Sequence, residues 1–87
     1  MIINQKYENE KFPNFTVRIS FSATEFEKFR NAIVWCVETY GISNKIDSWI
    51  LNIDYRKYIN RWAWQTDSGY YIYLNKEDLA WFLLKWG

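Results

Sequence analysis

A strictly alternating segment is the first clear pattern in the sequence. Its apolar members are Phe15, Val17, Ile19 and Phe21, and its polar members are Thr16, Arg18 and Ser20. Because successive side chains of a strand point to opposite faces, this alternation predicts a strand with one buried face and one solvated face.

A helix is predicted directly after this strand. Ser22 and Glu25 have the spacing of a capping box, so the helix should begin at Ala23. Gly41 is the residue type that ends helices in a left-handed conformation. The apolar positions at helical spacing are Phe26, Phe29, Ile33, Cys36 or Val37, and Tyr40.

Two periods compete in the stretch from 42 to 65. Ile46, Trp49, Ile50 and Ile53 fit one face of a helix, whereas Trp49, Leu51, Ile53 and Tyr55 fit one face of a strand. β-Branched and aromatic residues favour a strand. Whether 46–56 is strand or helix stays open at this level.

A hairpin and a second helix complete the pattern. Residues 61–65 and 70–74 are aromatic-rich runs on either side of a turn, in which Gly69 can take a positive φ. Asn75 is then a helix N-cap. The apolar stripe of this helix comprises Leu79, Phe82, Leu83 and Trp86.

These elements predict an α+β two-layer sandwich, with two helices on one face of a small, mainly antiparallel sheet. The order is β-α-β-β-β-α or β-α-β-β-α, a partial ferredoxin-like layout. Residues 1–14 read as a loose N-terminal arm that can pack through Tyr7 or Phe12, and residues 15–87 as one domain.

Aromatic content is the unusual part of the composition. Six Trp, seven Tyr and six Phe make up 22% of the chain. A domain of this length buries only about 60% of the surface that its unfolded chain exposes, so some aromatic surface is left for a partner. The net charge of +1 excludes a wholly basic nucleic-acid-binding protein.

The single cysteine, Cys36, excludes an internal disulfide framework and fits a reducing, cytoplasmic setting. Its helical position predicts a buried structural thiol. The sequence contains neither an apolar run long enough to cross a membrane nor a signal-peptide pattern at its start, so we expect no membrane association.

Catalytic equipment is sparse. The chain has no His and only three Gly, which excludes His-dependent nucleophilic or metal sites and a glycine-rich phosphate loop. Asp47 with Asp54, or Glu77 with Asp78, are conceivable acid–base pairs. Glu77 and Asp78 fit better as charges at a helix N-terminus. We therefore expect no enzyme activity, no cofactor and no metal.

A candidate binding surface lies where basic and aromatic residues mix. Its members are Arg56, Lys57, Arg61, Trp62, Trp64, Tyr71 and Tyr73. Arginines beside aromatic rings are typical both of protein hot spots and of single-stranded nucleic-acid platforms. The alternative interpretation is that half of these rings are core and the basic groups only solvate the outer face.

The segments Gly69–Leu74 and Asn75–Ala80 resemble the third strand and second helix of an RNA-recognition motif. Ser68 and Tyr71 depart from that pattern, which places a basic and a small residue there. The motif also needs a fourth strand after the second helix, where this sequence stops. The resemblance therefore implies a ferredoxin-like layout more than RNA chemistry.

The segment from Tyr71 to Gly87 is similar in style to small accessory proteins of T-even-type bacteriophages. This resemblance implies a bacterial cytoplasm and a protein that inhibits or redirects a host factor by direct binding. A defence component such as a toxin or nuclease is one class of target it implies.

The function that we expect from the sequence is a non-enzymatic phage-type protein that occupies a host protein through an aromatic and basic sheet face. The alternative is an RNA- or single-stranded DNA-binding module, with Arg56, Lys57 and Arg61 on phosphates and Tyr71 and Tyr73 on bases. A homodimer through the same face is also compatible with the sequence.

Overall fold

The computed structural model describes residues 1–8, 15–41 and 61–87. The strands predicted within 42–60, and with them Arg56 and Lys57, lie outside the described residues. The strands are β1 (Ile2–Asn4), β2 (Val17–Phe21), β3 (Trp62–Gln65) and β4 (Tyr70–Leu74). The helices are α1 (Phe26–Tyr40), preceded by a 3₁₀ turn at Ala23–Glu25, and α2 (Lys76–Trp86).

The described strands form one four-stranded sheet in the order β1-β2-β4-β3, and every neighbouring pair is antiparallel. β2 and β4 are the central strands, with Val17 opposite Leu74 and Phe21 opposite Tyr70. The predicted α+β class with two helices and an antiparallel sheet is confirmed.

The first residues of the chain differ from their prediction as part of a loose arm. Ile2–Asn4 is an edge strand, paired with β2 so that Ile3 lies opposite Ile19. A three-residue strand is too short to show a period, but its backbone groups complete the edge of β2. Tyr7 adds a backbone hydrogen bond to Thr16 O at 3.0 Å.

The order of the described elements matches most of a ferredoxin-like layout and adds a strand at its start. The elements β2-α1-β3-β4-α2 follow the order β-α-β-β-α of that layout. Its closing strand would follow α2, but here β1 precedes β2 and pairs with it at the sheet edge. In the described residues, β1 thus holds the edge position beside β2 that the closing strand holds in that layout.

Both helix starts follow the predicted capping residues. The backbone N–H of Ser22 donates to Glu25 Oε1 at 3.0 Å, which is half of the capping box. The backbone N–H of Asp78 donates to the Asn75 side chain at 3.0 Å. Gly41 ends α1 with φ +97°, a left-handed value that favours glycine.

The main core lies between the sheet and the helices. It includes residues from the helix-facing sides of β2, β3 and β4 and from the buried faces of α1 and α2, among them Val17, Ile19, Phe29, Cys36, Trp62, Ile72, Leu74 and Phe82. A second, smaller cluster of Phe15, Ala63 and Tyr73 lies on the other face of the sheet, with Tyr7 and Tyr71 packed against it. The predicted packing of the N-terminal segment through Tyr7 is confirmed.

Candidate binding surfaces

Arg61 is fixed within the molecule. Its guanidinium donates twice to the carboxylate of Asp78, from Nε to Oδ2 at 2.9 Å and from Nη2 to Oδ1 at 2.6 Å. The same guanidinium lies 4.8 Å from the ring centroid of Tyr40. Although half of the Arg61 side chain is exposed, its donors already serve the start of α2. These contacts give Arg61 a structural role, in which it holds the start of α2 through Asp78.

Trp62 was predicted as a binding residue, and the structure places it in the core. Its side chain is fully buried, and its indole N–H donates to the backbone O of Gly41 at 2.7 Å. Trp64 is half-buried and packs against the same core. Both indoles point towards the helices because they alternate with Ala63, which faces the opposite side.

Tyr73 is also buried, on the other face of the sheet. Its ring lies 5.5 Å from that of Tyr7, and its hydroxyl donates to Oε1 of the buried Gln65. Burial raises the pKa of the Tyr73 hydroxyl above its ordinary value, with a further contribution from Tyr7. No free ring face is left at this position for a base to stack on.

Tyr71 is the one described aromatic member of the predicted surface that lies half-exposed on the face away from the helices. Its ring is packed against Arg18, whose guanidinium lies 4.8 Å from the ring centroid. Its hydroxyl reaches Ser68 O at 3.3 Å. Tyr71 therefore combines with Arg18, a residue that the sequence did not single out.

The prediction of a single aromatic and basic sheet face is wrong for the described residues. In the observed register, Trp62 and Trp64 lie opposite Leu74 and Ile72, on the face that carries the helices. Tyr71 and Tyr73 lie opposite Gln65 and Ala63 on the other face. Side chains on neighbouring strands share a face only when they are directly opposite or two residues removed, so the register separates the two pairs.

Two large apolar side chains that are exposed in the described part of the chain were not singled out from the sequence. On α2, Trp81 is 62% exposed and Leu84 is 80% exposed. Three residues apart on a helix, they lie on the same outward side, which we call the α2 outer face. Both fall outside the stripe of Leu79 and Phe82 that faces the core. The signal in the sequence was that two apolar residues, Trp81 and Leu84, lie at helix positions outside the core-facing stripe.

The outward side of α1 also carries exposed apolar side chains, which are smaller and less exposed than those of the α2 outer face. Val34 is 52% exposed and Val37 is 38% exposed, whereas Cys36 is fully buried. The structure thus selects Cys36 over Val37 for the core, as a buried structural thiol. Burial raises the pKa of the Cys36 thiol to about 12, with a smaller contribution from the charge of Asp78. A thiol held neutral in this way is a poor nucleophile.

The carboxylates also have structural surroundings. Asp78 is 3% exposed and paired with Arg61, while the predicted candidates Asp47 and Asp54 lie outside the described residues. Glu25 forms an ion pair with the Met1 α-ammonium, with 2.7 Å between Glu25 Oε2 and the Met1 nitrogen. This partner lowers the pKa of Glu25 to about 2. Within 1–8, 15–41 and 61–87 no group of carboxylate and thiol ligands has the arrangement of a metal site.

Comparisons with protein-family models, with curated proteins and with solved structures find no match for this chain. In the described part of the chain, neither helix is long and apolar enough to span a membrane.

Proposed function

We propose that this is a non-enzymatic protein that binds another protein through the α2 outer face. The observation that carries this proposal is the exposure of Trp81 and Leu84, at 62% and 80% of their surfaces. Tryptophan is among the residues most enriched at the energetic centres of interfaces, because its burial removes a large apolar area from water.

The charges around this face indicate the chemistry of the partner. Glu77 and Lys85 are exposed and lie four residues before and after Trp81, so the three side chains follow one side of the helix. The matching partner surface offers an apolar pocket for the indole. A basic group opposite Glu77 and an acidic group opposite Lys85 fit its rim.

Binding of single-stranded nucleic acid is the second candidate, and the described residues favour it less. It requires open rings for stacking and cations for phosphates. Tyr73 is buried, the ring of Tyr71 lies against Arg18, and Arg61 is paired with Asp78. Arg56 and Lys57, the other cations of that hypothesis, lie outside the described residues.

The likeness of the C-terminal segment to phage accessory proteins supports the further proposal that the partner is a bacterial host protein, for example a component of host defence. Binding would inhibit or redirect that component. The cytoplasm of the host cell is the corresponding location.

The test is affinity capture with matched variants. Wild-type protein, Trp81→Ala/Leu84→Ala and the control Val34→Ala are immobilised, exposed to nuclease-treated bacterial lysate, and their captured proteins identified by mass spectrometry. Circular dichroism first establishes that all three are folded. We expect one protein to be retained by the wild type and by Val34→Ala, and lost from the double variant.

Equal retention of that protein by the double variant would overturn the assignment to the α2 outer face. Retention that requires untreated lysate and falls steeply with salt would favour the nucleic-acid alternative. Sedimentation of the purified protein detects self-association. A dimer that the double variant abolishes would identify a second copy as the occupant and overturn the host-protein proposal.

A further inference from the structure

Arg18 occupies the middle of the sheet face that points away from the helices. It lies on the central strand β2, opposite Tyr73 of β4. Its guanidinium carbon is 4.8 Å from the ring centroid of Tyr7 and 4.8 Å from that of Tyr71. The two rings, which come from distant parts of the chain, hold this cation in one place.

The charge of Arg18 has no counterion in the described part of the chain. The ion pairs found there join Met1 to Glu25 and Arg61 to Asp78, and neither includes Arg18. Its Nε atom is buried and donates no hydrogen bond. A cation that is partly removed from water without a paired anion is unfavourable, and an incoming anion relieves that cost.

The tyrosine hydroxyl beside this group does not supply the missing charge. Burial raises the pKa of the Tyr73 hydroxyl, so it stays neutral at physiological pH. Its proton is donated to Gln65 Oε1. Arg18 opposes this rise in the pKa of Tyr73 through its charge and a side-chain hydrogen bond, but the effect of burial is larger. The neutral Tyr73 hydroxyl is therefore a polar neighbour of Arg18 and not a counterion.

We propose that Arg18, with Tyr7 and Tyr71, forms a binding site for a carboxylate, such as an acidic side chain or the C-terminal carboxylate of a peptide. Because the rings of Tyr7 and Tyr71 lie against the guanidinium of Arg18, a ligand has to approach that group at the edge that carries its N–H donors. That planar, two-pronged edge matches the two oxygens of a carboxylate. One cation and one carboxylate balance in charge, whereas phosphate sites commonly gather several donors.

This site is independent of the proposed function. Arg18 lies on the sheet face opposite the layer of helices, and Trp81 and Leu84 belong to α2 in that layer. A carboxylate-bearing ligand can therefore bind at Arg18 whether or not the α2 outer face has a partner.

The test is a titration of uniformly ¹⁵N-labelled protein, followed through the Nε–H resonances of its arginines. Sodium acetate is the probe, and sodium chloride at matched ionic strength is the reference. We expect the Arg18 Nε–H shift to saturate with acetate and to change little with chloride. The exposed Arg30 on α1 provides the internal control, and its resonance should respond equally to both salts.

Variants define the specificity of the site. Arg18→Lys keeps the charge but loses the planar fork, and we expect it to weaken acetate binding about tenfold, measured at the backbone amides of Ser20 and Tyr71. Arg30→Lys should retain wild-type affinity. Trp81→Ala/Leu84→Ala should also retain it, which separates this site from the proposed function.

An Arg18 response to acetate that merely follows ionic strength would overturn the proposal. So would unchanged acetate affinity in a folded Arg18→Lys variant. Inorganic phosphate serves as the third salt. If it saturates the Arg18 shift at lower concentration than acetate does, the assignment to a carboxylate is wrong and the site is one for phosphate.

Discussion

Arg61 and Asp78 form a two-pronged ion pair that joins the start of β3 to the first turn of α2, with donor–acceptor distances of 2.6 and 2.9 Å. The Asp78 side chain is 5% exposed, whereas half of the Arg61 side chain meets solvent. The hydroxyl of Tyr40 donates to the backbone O of Asp78 at 2.9 Å, so α1 is part of the same junction.

Removing Arg61 should destabilise the fold, because it leaves the Asp78 carboxylate buried without its cation. We expect Arg61→Met to lower the free energy of unfolding, by less than for a fully buried pair because half of the Arg61 side chain is exposed. Urea titration measures this change. The double variant Arg61→Met/Asp78→Asn should recover part of the loss, and simple additivity of the two losses would contradict the pairing.

The two tryptophans Trp62 and Trp81 should differ sharply in their effect on stability. Trp62→Ala removes a fully buried side chain and should cost about 3–5 kcal/mol. Trp81→Ala removes one that is 62% exposed and should stay within about 0.5 kcal/mol of wild type. Urea unfolding of both variants checks this. Similar losses would contradict the described placement of the two indoles.

Alkaline pH should destabilise the protein through its buried acids. Burial raises the pKa of the Cys36 thiol from 9.0, and that of the Tyr40 hydroxyl from 10.0, to about 12 in each case. Both groups ionise earlier in the unfolded chain, so their contribution is complete below about pH 9 and is lost as the pH rises towards 12. Urea midpoints across this range should fall. Cys36→Ala, compared with its own midpoint at pH 8, should flatten the first part of the fall.

Acidic pH should weaken the contact between the first residue and the start of α1. The pKa of Glu25 is lowered from 4.5 to about 2. The main cause is the hydrogen bond from the Met1 α-ammonium, and the second is the hydrogen bond from the Ser22 backbone. This contribution is present above pH 4.5 and is lost as the pH falls towards 2. Glu25→Gln should reduce the loss measured by thermal unfolding between these values. Glu27→Gln is the matched control for the removal of one carboxylate.

Gly69 should resist substitution for two separate reasons. Its φ is +147°, and a Cβ atom built on it would lie 2.8 Å from the Tyr71 hydroxyl oxygen. Gly69→Ala should therefore cost about 2 kcal/mol of unfolding free energy. Gly41→Ala, at φ +97° with nothing within 4 Å of the added Cβ, isolates the backbone contribution.

The Gly69→Ala change should also reach the proposed carboxylate site, because Tyr71 must move to make room. We expect the Arg18 Nε–H resonance to shift in Gly69→Ala and to stay in place in Gly41→Ala. An unchanged Arg18 resonance in Gly69→Ala would contradict the close approach of Gly69 to Tyr71.

Elements with local signals could be predicted from the sequence. The alternation of Val17, Ile19 and Phe21 is itself the strand pattern, and the capping residues Ser22 and Asn75 mark helix starts where the structure has them. The β3–β4 hairpin was predicted from the turn that contains Gly69, between two aromatic-rich runs. In each case the deciding interactions lie within a few residues along the chain.

The candidate site could not be predicted in the same way, since it depends on which strands are neighbours. Alternation separates Trp62 from Ala63, but only the pairing of β3 with β4 shows that Tyr73 shares a face with Ala63. Arg18 meets Tyr71 only because β2 lies beside β4. Such contacts join distant parts of the chain, and no local period reports them.

The central pairing of β2 with β4 also has a kinetic consequence. It places Val17 opposite Leu74, so the chain must close a loop that spans most of its length before the middle of the sheet exists. Loop closure costs entropy before any contact repays it, whereas the β3–β4 hairpin needs only a short turn. We therefore expect the hairpin to form early and the docking of β2 to limit the folding rate.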